Sequence, residues 1–173
     1  MNFRHIDDVV VKAKFATEGG LTYRYRLEIM KVGASASPKT VCVVMQNPSD
    51  ACEYKADKSV QFLEKLIFTC NYPEFVGIER IIIVNQFARV QTNGFSGLDS
   101  DIGRNNDAEI KSALDEAQII IIAWGKTNRF NDRKQSIFEL VKDIQGASLY
   151  KTLAHPSRGR YKNFIKRWEG SDY

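Results

Sequence analysis

The chain has 173 residues, 43% of them hydrophobic and 27% charged, with a formal charge of +4 and a pI of about 8.9. Those values suit one globular domain over residues 1–173 and permit nucleic acid as a partner without requiring it. The longest apolar run, Ile119 to Trp124, is too short to cross a bilayer, and Met1 to Val10 has no apolar stretch of a secretory signal.

Val9 to Phe15 and Leu21 to Met30 flank Glu18-Gly19-Gly20, which reads as a hairpin turn. The second segment alternates Leu, Tyr, Tyr, Leu and Ile against Thr, Arg, Arg and Glu, the period of a half-exposed strand. Its charged face suits an edge or flanking position. Val41 to Met45 is a continuous apolar run, as in a strand buried on both faces. Pro48 cannot continue a ladder, so that strand should stop at Gln46 or Asn47.

A helix is expected from about Asp57, with Asp57 as its cap and Val60, Leu63, Ile67 and Cys70 on one stripe. Arg80 to Val84 is a second buried strand, ending at Asn85-Gln86-Phe87. A loop follows to about Arg104. Asn106 and Glu109 have capping-box spacing for a helix through Ala117. Gln118 to Ala123 is a third buried strand, followed by Trp124-Gly125-Lys126. Asp132 to Ile144 reads as a helix and Ser148 to Ala154 as a fourth strand, which stops at His155-Pro156-Ser157. Arg160 to Trp168 reads as a short terminal helix.

Strands alternating with helices give an α/β class and a three-layer αβα architecture. The expected core is a central four-stranded parallel sheet with an N-terminal β-hairpin added at one side. Right-handed crossovers would bring the four strand ends to one rim, where ligands bind in such sheets. The cysteines Cys42, Cys52 and Cys70 are odd in number and show no Cys-x-x-Cys pair, so reduced thiols and a cytoplasmic location are expected. With His5 and His155 far apart, no metal site and no cofactor are expected.

The rim offers amides, an imidazole, hydroxyls, aromatics and cations. Asn47 and Asn85 each present a donor and an acceptor, which suits the edge of a heterocyclic base. Phe87 or Tyr54 could stack on such a base. His155 could donate to an oxygen that becomes negative as a bond breaks. From Lys151 to Trp168 there are six Lys or Arg residues and no acidic one, a surface ready for phosphates. Each feature has a plainer reading beside it. Asn47 can cap a turn, His155 can be a hydrogen-bonded structural histidine, the basic tail can be a solvated face, and Trp124 is better read as core.

The four strand ends, in order, resemble the uracil-DNA glycosylase superfamily. Met45-Gln46-Asn47-Pro48-Ser49 looks like a blend of its first motifs, Gly-Gln-Asp-Pro-Tyr and Gly-Ile-Asn-Pro-Gly. Ile81 to Asn85 is similar to its strand ending in a base-reading Asn, Ile122-Ala123-Trp124-Gly125 to its Leu-Trp-Gly, and His155-Pro156-Ser157 to its His-Pro-Ser. The chain also resembles the family called domain of unknown function 1643, through Tyr23 to Leu27, Asn47-Pro48-Ser49, Asn85 to Ala88, Asn106-Asp107 and Ala123-Trp124-Gly125. That second resemblance implies no established activity.

The glycosylase resemblance implies a hydrolase that flips a base of DNA, double- or single-stranded, into the rim and cleaves its N-glycosidic bond. Asn47 would hold the attacking water and His155 would stabilise the departing base. Gln46, Asn85, Phe87 and Tyr54 would bind the base. Ser49, Ser157, Arg158 and Arg160 would grip the backbone. The superfamily's fastest members have Asp where this chain has Asn47, and Ser49 replaces the tyrosine that walls the uracil pocket, so a bulkier or modified base would fit. The alternatives are a non-catalytic nucleic-acid- or nucleotide-binding module of the same fold and an N-glycosidase acting on free nucleosides or nucleotides. A monomer is expected, with no membrane partner.

Overall fold

The structure, a computed structural model, describes residues 3–126 and 129–169. The strands are β1 (Val9–Glu18), β2 (Leu21–Lys31), β3 (Thr40–Met45), β4 (Arg80–Asn85), β5 (Ile119–Ile122), β6 (Ser148–Thr152) and β7 (Ile165–Arg167). The helices are α1 (Lys58–Phe68), α2 (Asp99–Ile102), α3 (Asn106–Asp115) and α4 (Asn131–Lys142). All seven strands share one sheet, in the order β1-β2-β4-β3-β5-β6-β7.

That sheet is mixed. β3 pairs in parallel with β4 and β5, and β5 with β6. The β1–β2, β2–β4 and β6–β7 pairings are antiparallel. Four neighbouring strands, β4-β3-β5-β6, run parallel, the β1–β2 hairpin joins β4 on one side and β7 joins β6 on the other, so the sheet as a whole is seven-stranded and mixed. Leu27 and Ile29 on β2 lie opposite Ile83 and Ile81 on β4, so the apolar face of the hairpin continues the core.

The alternation of side chains along each strand sorts the core into two layers. Val41, Val43, Met45, Ile81, Ile83 and Ile121 pack against Val60, Leu63, Leu66 and Ile67 of α1. Cys42, Val44, Ile82, Ile120 and Ile122 face the other way, against Ile110 and Leu114 of α3 and Ile137 and Val141 of α4. Burying each such Val, Leu or Ile side chain contributes roughly 1.5–3 kcal/mol. At the amino ends of β3 and β4 a charged cluster closes the sheet. Arg26 grips Glu116 with two bonds, at 2.9 and 3.0 Å, and Arg80 meets the same carboxylate at 2.9 Å.

Two expectations change. The terminal helix over Arg160–Trp168 is replaced by β7, which pairs with β6. Asn106 forms no capping box. Its amide instead donates to the carbonyls of Asn85 and Gln86, at 2.9 and 3.0 Å, and so fixes α3 to the end of β4. Among the described residues, no helix is long and apolar enough to cross a membrane.

Candidate functional site

The carboxyl ends of β3, β5 and β6 open into a cleft of about 830 Å³. Pockets of this size hold small organic ligands. The loop after β3 contributes Gln46, Asn47 and Ser49 to its wall. The turn after β6 contributes His155, Ser157 and Arg158. The amino end of α1 forms the facing wall with Asp57, Lys58 and Ser59, because α1 begins at the same sheet edge where β3 ends. Lys126 and Arg129 complete the mouth. Five cationic side chains line the cleft against two carboxylates, Asp50 and Asp57, and Asp50 is paired with Lys55.

His155 starts a short 3-10 turn, Pro156–Arg158. The backbone N–H of Ser157 donates to its Nδ1 at 3.2 Å, and the Ser157 hydroxyl lies 2.9 Å from the same atom. A ring nitrogen that accepts a backbone N–H carries no proton in the neutral ring, so the proton sits on Nε2. Burial pushes the His155 pKa below its ordinary value, against the pull of the Asp57 carboxylate and with the help of Arg158. His155 is therefore a neutral donor at pH 7. Its Nε2 has no partner among the described residues.

Asp57 caps α1, accepting from the Val60 N–H at 2.8 Å through Oδ1. Its other carboxylate oxygen has no hydrogen-bond partner among the described residues, and the residue lines the cleft with His155. Sequence reasoning found Asp57 as a cap and missed it as a site residue. The available signal was topological: a helix following a parallel strand starts at the rim that carries the strand's end.

Asn47 is held on both sides of its amide. Nδ2 donates to the Gln91 carbonyl at 2.7 Å and the Pro48 carbonyl at 3.3 Å, and Oδ1 accepts from Gln46 at 3.3 Å. These bonds latch the loop after β3 to the loop after β4. One Oδ1 lone pair remains for a water, and an amide takes no proton from it.

The structure separates other expected site residues from the cleft. Asn85 is 1% exposed and does not line it; its Oδ1 accepts from Arg24 at 3.4 Å. Arg24, itself 1% exposed, also donates to the Ala51 carbonyl at 2.9 Å, so the loop after β3 closes over both residues. Burial lowers the Arg24 pKa to about 10, with Asp57, Cys52 and Asp50 opposing the shift. Phe87 is 2% exposed and packs edge-on against Phe95 and Phe130, with ring centroids 5.1 and 5.0 Å away. Tyr54 and Arg160 are exposed outside the cleft, whereas Trp124 packs on Phe138 as core and also lines the cleft. Cys42, Cys52 and Cys70 are free thiols. The described residues contain no group of three or more His, Cys, Asp or Glu placed to hold a metal ion.

Comparison with curated proteins finds no match. Among solved structures, the chain is similar to a serine-to-alanine mutant of the feruloyl esterase module from Clostridium thermocellum, complexed with sinapinate. The likeness has 8% identity and a TM-score of 0.33, over 82% of this chain and 67% of that one, and carries no argument. The family model described as "Protein of unknown function (DUF1643)" matches residues 24–161, and the chain belongs to that family.

Proposed function

We propose that the protein is a DNA glycosylase-like hydrolase that cleaves the N-glycosidic bond of a base held in the cleft. The observation that carries this reading is the pairing of a neutral donor, His155 Nε2–H, with an open carboxylate, Asp57, in one cation-lined cleft. The order of the strand-end motifs, with its resemblance to the uracil-DNA glycosylase superfamily, supports it.

A base inside a duplex stack is out of reach, so the target nucleotide leaves the stack and enters the cleft. Lys58, Lys126 and Arg158 neutralise backbone phosphates at the mouth, and Ser49 and Ser157 lie on the same wall. As the C1′–N bond breaks, its electron pair leaves with the base. His155 Nε2–H donates a hydrogen bond to the oxygen on which that charge settles. Water adds to C1′, and Asp57 accepts its proton. Asn47 then serves the site by holding the loop and by accepting from that water. Gln46 is left as the base-edge contact of the expected set.

A second reading is favoured by the bonds that occupy Asn47 and by the placement of Asn85 and Phe87 outside the cleft: a non-catalytic nucleic-acid-binding module. Incubation with oligonucleotides bearing uracil, mispaired thymine, hypoxanthine or modified cytosines, followed by alkali, separates the two. Strand breaks on at least one substrate support the hydrolase. Salt-dependent binding with no break on any of them supports the module.

A further inference from the structure

Asp50 to Lys55 forms a tight turn beside the mouth of the cleft. Cys52 N–H donates to the Lys55 carbonyl at 2.8 Å, and Lys55 N–H returns to Cys52 at 3.4 Å. Each neighbour of Tyr54 in this turn is tied down. The Ala51 carbonyl accepts from buried Arg24, and the Cys52 carbonyl accepts from His5 Nε2 at 2.8 Å. His5 is itself held by Glu64 of α1, which is fully buried. The Glu53 carboxylate accepts from the Ala13 N–H at 3.0 Å, Lys55 pairs with Asp50, and Ala56 is 0% exposed.

Tyr54 alone is held by nothing. It is 91% exposed and makes no hydrogen bond or ring contact among the described residues. A scattered exposed apolar side chain is ordinary. A large aromatic ring at the tip of a turn anchored through β1, β2, α1 and the N-terminal segment is a preorganised surface. It loses little backbone freedom when something covers it. Lys55 and Lys58, which line the cleft, lie one and four residues along the chain from it.

The geometry points to Tyr54 as a stacking platform for an unpaired base of a single-stranded nucleic acid whose phosphates cross Lys58, Lys126 and Arg158. This rests on the nucleic-acid reading of the cleft and adds a contact outside it. The ring takes a base next to the one in the pocket, not the pocket base itself. Aromatic rings interleaved with cations suit single strands, because every base presents a π-face.

The test is binding of a dye-labelled 15-nucleotide oligothymidylate, read by fluorescence anisotropy over a salt series, for wild type and for Tyr54→Ala, Tyr54→Phe and Tyr54→Trp. The expected result is a roughly five- to hundred-fold weaker affinity for Tyr54→Ala. Phe and Trp should hold near wild-type affinity, and the salt slope should be unchanged because no charge is removed. Wild-type affinity in Tyr54→Ala, equal loss in Tyr54→Phe, or no binding by the wild type overturns the platform. The alkali assay read beside it keeps the two ideas apart: Tyr54-dependent binding without base release leaves the platform standing and removes the hydrolase.

Discussion

Gly125 and His155 meet with no room for a side chain between them. A Cβ on Gly125 would lie 2.8 Å from the His155 nitrogen and 3.1 Å from its Cβ, and Gly125 has a φ of +76°. The end of β5 thereby sets the turn after β6 and with it the direction of the imidazole. Gly125→Ala must both strain the backbone and push His155 away. It should lower stability by about 1–3 kcal/mol in chemical denaturation. Activity under conditions where the variant is fully folded should fall as well. A fully active Gly125→Ala would show that the position of His155 is not critical.

The chain holds two histidines, and they should titrate on opposite sides of the ordinary value. Burial opposes charge on His5, but its bonds to Glu64 and the Cys52 carbonyl and the Glu64 charge outweigh that, and its pKa is raised. Burial depresses that of His155. The stability from His5 is therefore fully present below the unfolded value, about 6.5, and is lost as pH rises through its native pKa. The stability from keeping His155 neutral is present above about 6.5 and is lost as pH falls through its native pKa. Two imidazole NMR titrations, assigned with His155→Gln, should straddle 6.5. Coincident curves would contradict the opposed effects of burial on His155 and of Glu64 on His5.

Arg24 and Asn85 test the buried layer behind the cleft. Arg24→Ala removes donors from Ala51 and Asn85 and leaves a cavity, which should cost about 2–5 kcal/mol. Arg24→Met fills much of that space and also relieves the burial of a charge, so it should cost less than Ala. Denaturant midpoints decide the order. A Met variant no more stable than Ala would mean that the guanidinium's bonds, not its volume, hold the loop.

Much of the framework was legible because three strands are apolar on both faces: Val41–Met45, Ile81–Val84 and Ile119–Ile122 announce burial without the help of any partner. The terminal strand was not. Phe164 and Trp168 are four residues apart, a helical spacing, yet they pack in different layers. Phe164 lies against Phe62 at 4.9 Å, and Trp168 lies against Phe138 at 5.0 Å. At the site, the strand-end motifs led to Asn47, Ser49, His155, Ser157 and Arg158, which the fold gathers on one cleft. Asn85 lies behind the cleft because β2 pairs beside β4 and brings Arg24 over it. No local pattern in Tyr23 to Leu27 signals that neighbour. Asp57 was visible only as a cap, since its place opposite His155 depends on where α1 starts relative to β6.

If His155 and Asp57 act together on a glycosidic bond, as proposed, Asp57→Asn removes one half of the pair and leaves the fold intact. Asparagine caps a helix about as well as aspartate, so α1 and the melting temperature should be kept while the proton acceptor is lost. On a substrate from the oligonucleotide panel, single-turnover release of free base should fall by roughly a hundred- to ten-thousand-fold in Asp57→Asn. His155→Ala should lose about a hundred- to thousand-fold, and Asn47→Asp, which sets a carboxylate oxygen against the Gln91 and Pro48 carbonyls, should loosen the loop and lower both stability and rate. Wild-type rates in Asp57→Asn, or no free base from any substrate with the wild-type protein, would contradict the account.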